Sequence, residues 1–140
     1  MAQEALQEMA AQLRALQAQA NAIAQQVGMV QATLAEHERA VATLEELQKM
    51  AKDGDLLVPV GAGTYLFATI ARTDKVLADL GAGVSAERSP ADALAALQKR
   101  KEELAAVHQR LVEGLARLED EEERVQAELA SVVQQAQEQG

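Results

Sequence analysis

Residues 55–89 read DLLVPVGAGTYLFATIARTDKVLADLGAGVSAERS, and this stretch decides the fold because the chain on either side of it has the pattern of helix. Its apolar residues alternate with polar or small ones, and its glycines cluster in two Gly-Ala-Gly connectors at 61–63 and 81–83. Such connectors suit antiparallel β-hairpins, because glycine supplies the positive φ angles that tight turns need. The pattern predicts four strands, at residues 56–60, 64–70, 76–80 and 84–88.

These strands need a surface to cover them. Four short strands in about 35 residues bury too little of their own area to be stable alone. In the second strand, Tyr65, Phe67 and Thr69 share one face, and the opposite face is also apolar. We therefore predict an assembly platform that is buried between subunits; the alternative is a sheet packed on its own helices. The predicted platform residues are Val58, Val60, Tyr65, Phe67, Thr69, Val76, Leu80 and Val84.

The composition indicates long helices rather than a conventional core. Of the 140 residues, 49% are hydrophobic but only 1% are aromatic, so large side chains for a globular interior are scarce. The formal net charge of -9 argues against a nucleic-acid binder and against docking on an anionic membrane. Cysteine is absent, which excludes disulfides and thiolate chemistry. Without a signal-peptide pattern or an apolar run of about 18 residues, we expect a soluble, cytoplasmic protein.

The first 50 residues carry a heptad pattern of apolar residues. A pattern held over about six heptads predicts a long helix that needs a partner helix. Gly28 is an isolated glycine inside this helix and costs roughly 1 kcal/mol relative to alanine. We expect the helix to stop at residues 52–54, with Gly54 in the left-handed cap position. The predicted seam consists of Leu6, Met9, Leu13, Leu16, Ala20, Ile23, Val27, Val30, Leu34, His37, Val41 and Leu44.

A second helix starts at Ser89-Pro90-Ala91-Asp92, where Ser89 can cap the helix and Pro90 suits its first turn. Its heptad positions include Leu94, Leu97, Leu104, His108, Leu111, Leu118 and Val125. Since the two helices have similar lengths, we predict one antiparallel two-helix coiled-coil hairpin; pairing between chains is the alternative. The fold class is α+β and mostly helical. The single domain divides into a helix at 1–53, two β-hairpins at 54–89 and a helix at 90–140.

No catalytic or metal site is expected. The two Gly-Ala-Gly connectors lie between strands and do not open helices, so we interpret them as turns rather than phosphate loops. His37 and His108 fall on seam positions and are not expected to meet. Asp74, Asp79 and Glu87 do not obviously converge, which leaves an enzyme built on the strands poorly supported. The acidic run at 119–123 is either a solvated stretch or a band that attracts basic partners.

The arrangement as a whole resembles the alpha class of the prefoldin family. The resemblance lies in LVPVGAGTYLFATI at 57–70, TDKVLADLGAGVSAERS at 73–89 and the helix start SPADAL at 89–94. It implies two β-hairpins between the helices and a hexamer of two alpha and four beta subunits around a double β-barrel. It also implies an ATP-independent holdase, without cofactors, that passes non-native proteins to a group II chaperonin. The small extension beyond the helices favours the archaeal type.

The resemblance places client binding at the ends of the coiled coil. Residues 1–35 include only three charged side chains, Glu4, Glu8 and Arg14, so this arm is weakly hydrophobic. If the last turns fray, the seam residues become available to varied partners. The candidate client-binding residues are Leu6, Met9, Leu13, Leu16, Val125, Leu129, Val132 and Val133. The alternative function is a structural coiled-coil scaffold that binds one specific folded partner.

Overall fold

Two long helices enclose two β-hairpins along the chain in a computed structural model that describes residues 2–139. The predicted fold class is confirmed, and four of the eight strand ends differ from the predicted ones, each by one residue. The elements are α1 (Ala2–Lys49), β1 (Asp55–Gly61), β2 (Thr64–Thr69), β3 (Val76–Gly81), β4 (Val84–Arg88) and α2 (Pro90–Gln139).

One compact unit consists of residues 2–33 of α1 and 104–139 of α2. Its helix segments run antiparallel: Gln12 lies beside Val125, and Ala20 lies beside Leu115. The predicted seam residues of this unit are buried or half-buried, including the small side chain of Ala20, which is 8% exposed. An alanine in the seam lets the two helix segments approach closely, and their approach covers the alanine side chain. The heptad pattern therefore identified the buried stripe of both helix segments correctly.

The second unit comprises residues 34–103, which hold the end of α1, both hairpins and the start of α2. Val41 and Ala93 are buried here. The predicted start of α2 is confirmed, because the Asp92 N–H donates to Ser89 Oγ at 3.1 Å and the Ala93 N–H donates to the Ser89 carbonyl at 3.0 Å. Pro90 is buried at the first helical position, where its missing N–H removes no helical hydrogen bond.

The end of α1 differs from the expectation. The helix ends at Lys49, and residues 50–53 form a turn instead of continuing it. The left-handed residue is Asp53, with φ of 65°, so the expectation for Gly54 was wrong. The Gly54 N–H donates to the Ala51 carbonyl at 3.1 Å, and a Cβ on Gly54 would lie 3.0 Å from that oxygen. Glycine at this position permits a close backbone approach rather than a positive φ.

The two hairpins use the same turn. Gly61 pairs with Thr64 and Gly81 with Val84, which leaves an Ala-Gly loop of two residues in each hairpin. Ala62 and Ala82 have φ angles of 50° and 54°, and the glycines that follow them are also positive. Two positive φ angles in a two-residue loop define a type I′ turn, which matches the natural twist of paired strands. Each hairpin also has an irregularity in its register just before the turn.

Each hairpin is a separate two-stranded antiparallel sheet within the described residues. In the first sheet, Leu57 pairs with Phe67 and Pro59 with Tyr65. In the second, Val76 pairs with Arg88 and Asp79 with Ser85. Every strand therefore keeps one edge without a neighbouring strand, and such edges are templates for pairing with another chain. Neither described helix is long and apolar enough to cross a membrane.

Candidate interaction surfaces

The β1–β2 hairpin exposes apolar side chains on both faces. Phe67 is 92% exposed, and its register partner Leu57 and neighbour Tyr65 are each 55% exposed on the same face. On the other face, Leu66 is 57% exposed, whereas Leu56 and Ala68 are half-buried. Soluble monomers rarely leave apolar groups clustered in water in this way, because each buried large side chain stabilises by roughly 1.5–3 kcal/mol. Within residues 2–139, most apolar side chains of this hairpin are therefore left uncovered.

The β3–β4 hairpin is partly covered on one side. Val76, Ala78 and Ala86 are half-buried, while Leu77 is 72% exposed on the other face. β3 borders a cleft of about 790 Å³ whose other walls come from the end of α1 and the start of α2. Here the chain's own helices provide part of the covering surface, which agrees in part with the alternative of a sheet packed on its own helices. They do not provide all of it.

The predicted platform residues lie on these hairpins, and one of the eight, Val76, is half-buried while the other seven are exposed. Their role in assembly stays a prediction. Leu57 and Leu77 are also exposed apolar side chains of the hairpins, and they were not among the predicted platform residues. The signal for Leu57 was available, because a two-residue Ala-Gly loop fixes the register that places it opposite Phe67.

Ion pairs fix the polar parts of the strand region. The Arg72 guanidinium donates to both carboxylate oxygens of Asp74, at 3.2 and 3.1 Å. The hydrogen bond from Arg72 lowers the pKa of Asp74, and the same bond raises the pKa of Arg72. Lys75 Nζ lies 3.3 Å from Glu87 Oε2. All four side chains are about half exposed or more, so these pairs orient the loop and strand ends rather than stabilise the fold strongly.

The candidate client-binding residues lie mostly inside the helix seam. Leu16 and Val125 are each 7% exposed, and Val133 is 39% exposed. The half-buried ones are Leu6, Met9, Leu13, Leu129 and Val132. A partner would reach these side chains fully only after the two helix segments separate. Their role in client binding therefore stays a prediction, and it requires local opening.

Both histidines occupy the predicted seam positions. His37 is half-buried in the unit formed by residues 34–103, where it lines the cleft beside β3. In the other unit His108 is half-buried, and its buried Nε2 has no hydrogen-bond partner. A buried polar atom without a partner weakens the seam around it. No group of acidic, histidine or cysteine side chains within residues 2–139 is arranged to hold a metal ion.

The acidic run at 119–123 lies in α2 and turns one of its five side chains towards the helix seam. Glu122 is half-buried at a seam position, and the other four acids are exposed. Glu119 and Glu122 lie beside Ala20 in the unit formed by residues 2–33 and 104–139. A carboxylate facing an alanine seam contributes no apolar burial, so this level of the helix pair is weaker than the levels around it.

Comparison with known proteins identifies relatives of the whole arrangement. The family model for prefoldin, described as a prefoldin subunit, matches residues 16–135. The prefoldin subunit alpha of Methanococcoides burtonii is 44% identical over 103 residues, covering 74% of this chain and 75% of the relative. The prefoldin subunit alpha of Methanosarcina barkeri is 35% identical over 136 residues, covering 90% of this chain and 94% of the relative.

Solved structures show the same architecture. The cryo-EM structure of filamentous prefoldin from Methanocaldococcus jannaschii matches with a TM-score of 0.66 and 29% identity, covering 82% of this chain and 95% of that one. The crystal structure of the prefoldin beta subunit from Thermococcus strain KS-1 matches with a TM-score of 0.60 and 21% identity, covering 90% of both chains. The second match supports the fold alone.

Proposed function

Because the chain belongs to the prefoldin family, in which it is an alpha-class chaperone subunit, we propose that it holds non-native proteins without using ATP. In this proposal it assembles with beta-class subunits as a hexamer of two alpha and four beta chains. The assembly acts in the cytoplasm and passes its clients to a group II chaperonin. The chain itself catalyses no reaction and needs no cofactor.

The observation that carries the proposal is the exposure of apolar side chains on the strands while the helix seams are covered. Phe67 at 92% exposure and Leu77 at 72% exposure lie on two hairpins that each have open strand edges. Strand edges pair readily with other strands, and apolar faces then become buried between subunits. Assembly through the hairpins would join several helix pairs in one particle.

Client holding follows from the number of helix pairs rather than from a strong single site. Each helix pair offers a few apolar side chains, such as Met9 and Val133, and most of these are partly covered. Several weak contacts on one particle give high overall affinity, because the later contacts form within the same complex. Such a mechanism requires no nucleotide. The two glycine-containing loops support this, since their positive φ angles serve hairpin turns.

The test is light scattering from an unrelated, chemically denatured protein diluted into buffer with this chain and a beta-class prefoldin subunit, without ATP. We expect suppressed scattering at near-stoichiometric ratios of the assembly to the client. Removing the first ten and last ten residues should leave the oligomer intact and impair holding, since it removes Leu6, Met9, Val132 and Val133.

Two outcomes would contradict the proposal in different ways. Full holding by the truncated assembly would show that clients do not bind at the ends of the helices. Unchanged scattering with a well-formed assembly of the full chain would instead favour a scaffold for one folded partner. The covered state of Leu16 and Val125 is the observation that favours this second function.

A further inference from the structure

The turn that joins α1 to β1 contains the one Asp-Gly pair of the chain. Of the six aspartates and the one asparagine in the 140 residues, only Asp53 is followed by a glycine. In an Asp-Gly pair the backbone nitrogen of the second residue reaches the side-chain carboxyl of the first most easily, because glycine places no Cβ in the way. The pair lies in the unit formed by residues 34–103, just before the first hairpin.

The backbone of the turn accounts for both residues of the pair. Asp53 has a φ of 65°, a left-handed conformation that aspartate and asparagine tolerate better than most residues do. A Cβ on Gly54 would lie 3.0 Å from the Ala51 carbonyl oxygen, so any other residue at this position would require the turn to shift. The geometry of the turn therefore favours a pair of residues that is also chemically labile.

The Asp53 carboxyl group is available to react. Its side chain is exposed, and within residues 2–139 it makes no hydrogen bond or ion pair. The Asp74 carboxylate, by contrast, is held by the Arg72 guanidinium. No contact among the described residues therefore keeps the Asp53 side chain away from the backbone nitrogen of Gly54.

The backbone of the same two residues fixes the base of the first hairpin. The Asp53 N–H donates to the Ile70 carbonyl at 2.8 Å, and the Ile70 N–H donates to the Gly54 carbonyl at 3.0 Å. These two bonds continue the β1–β2 pairing beyond its last register pair, Asp55 with Thr69. They also restrain the turn, so the reaction proceeds during local openings, which are frequent where backbone hydrogen bonds are exposed. A covalent change between Asp53 and Gly54 acts directly on this base.

We propose that Asp53-Gly54 is a site of spontaneous isoaspartate formation in the folded chain, and that the isomerised bond loosens the base of the β1–β2 hairpin. In the first step the Gly54 backbone nitrogen attacks Cγ of the Asp53 side chain in its carboxylic acid form. A bond forms between these two atoms, the nitrogen loses its proton, and one carboxyl oxygen leaves as water, which gives a five-membered imide. Because both reacting groups belong to neighbouring residues, the step is intramolecular and needs no second reactant.

In the second step water opens the imide, so the water lost in the first step is regained. Cleavage of the bond from the nitrogen to Cγ restores aspartate, whereas cleavage of the bond from the nitrogen to the Asp53 main-chain carbonyl carbon gives isoaspartate. The chain then runs through Cβ and Cγ of residue 53, which adds one atom to the backbone. The added atom moves Gly54 away from Asp53, so the two groups that bond to Ile70 no longer both reach their partners.

The test incubates the full chain, folded, at neutral pH and physiological temperature; it needs no other subunit, since the reaction is independent of the proposed assembly. Protein isoaspartate methyltransferase with labelled S-adenosylmethionine measures isoaspartate, and electron-transfer fragmentation of peptides locates it. We expect isoaspartate to accumulate at residue 53 and to stay at background at Asp55, which precedes a leucine. Asp53→Glu should abolish the signal, because glutamate would have to close a larger ring, and the matched control Asp55→Glu should keep it. Asp53→Gly, which adopts positive φ without strain, provides a second variant without the carboxyl group.

Amide hydrogen exchange measured by NMR tests the effect on the hairpin, because the isomerised chain gives its own Gly54 signal in the aged sample. We expect the Ile70 N–H to exchange roughly tenfold faster in the isomerised chain, since two hydrogen bonds at the hairpin base are weakened or lost. Isoaspartate at residue 53 no higher than at Asp55 would overturn the inference, and so would its formation only in the urea-unfolded chain. Unchanged exchange of Ile70 in the isomerised chain would show that the base of the hairpin tolerates the longer backbone, which contradicts the proposed loosening.

Discussion

The helix segments and the hairpins differ in where their apolar residues find cover. In the unit of residues 2–33 and 104–139, the seam residues Leu16, Leu104 and Val125 are at most 8% exposed. In the hairpins, Phe67 and Leu77 are 92% and 72% exposed. Both regions were recognisable as apolar patterns in the sequence. The helices cover theirs within the chain, whereas the hairpins leave theirs exposed in the described part of the chain, and we propose that a second chain covers them.

This difference separates stability from assembly. Because the hydrophobic effect acts on area removed from water, the covered seam residues stabilise the isolated chain, and we expect the exposed strand residues to contribute mainly on association. A change on the hairpins should therefore alter assembly with little effect on helix content. A change in the seam should do the reverse.

The largest effect is expected from Phe67→Asp. Placing a carboxylate at the most exposed apolar position of β2 would bury an unpaired charge when subunits assemble. We expect assembly with a beta-class subunit to weaken about 100-fold or more, as for a central interface residue. Sedimentation velocity measures the assembly, and far-ultraviolet circular dichroism of the same sample measures helix content, which should stay within error of the wild type.

A conservative control sharpens this result. Phe67→Leu keeps an apolar side chain on the same face and should weaken assembly much less than the aspartate. Loss of helix content together with assembly in Phe67→Asp would show that the hairpins and helices are not independent. Equal assembly of the aspartate variant and the wild type would remove Phe67 from the platform.

A matched pair of leucines tests the division on stability. Leu104 is 8% exposed in the helix seam and Leu77 is 72% exposed on β3. We expect Leu104→Ala to lower the free energy of unfolding by about 2–3 kcal/mol, through lost burial and a partly filled cavity. Leu77→Ala should change it by less than about 0.5 kcal/mol. Urea unfolding of the isolated chain, followed by circular dichroism, measures both; similar losses would mean that the hairpin is covered in solution.

The sequence was sufficient for the elements and the seam because both have strong local signals. Heptad spacing located buried positions as small as Ala20, and the Ser89-Pro90 start of α2 carries its own cap. The paired Gly-Ala-Gly connectors located both turns, since a two-residue loop with positive φ angles has few solutions.

Other features depend on the surroundings of a residue and left no trace in the sequence. The left-handed residue at the end of α1 is Asp53 instead of Gly54. Glycine at position 54 meets a different requirement, because a Cβ there would lie 3.0 Å from the Ala51 carbonyl oxygen. Among residues 2–139 the Arg88 side chain has no ion-pair or hydrogen-bond partner, and this could not be predicted from the sequence either. It arises because Glu87, its neighbour in sequence, points to the other face of the strand and pairs with Lys75.

The smallest effects compare two glycines, one from each region. Gly28 lies inside α1 and Gly63 lies in the first hairpin turn, and a Cβ added at either would meet no atom within 4 Å. Both positions therefore have room for a methyl group, and they differ in backbone conformation, since Gly63 has a φ of 74°. We expect Gly28→Ala to raise the free energy of unfolding by about 1 kcal/mol, because alanine is the better helix former.

Gly63→Ala should destabilise the hairpin by roughly 1 kcal/mol through backbone strain. Urea unfolding measures the first change and amide hydrogen exchange in β1 and β2 measures the second. A stabilising effect of alanine at both positions would mean that the turn relaxes to a conformation with negative φ, and the register of the exposed Leu57 and Phe67 would then no longer be fixed by the turn.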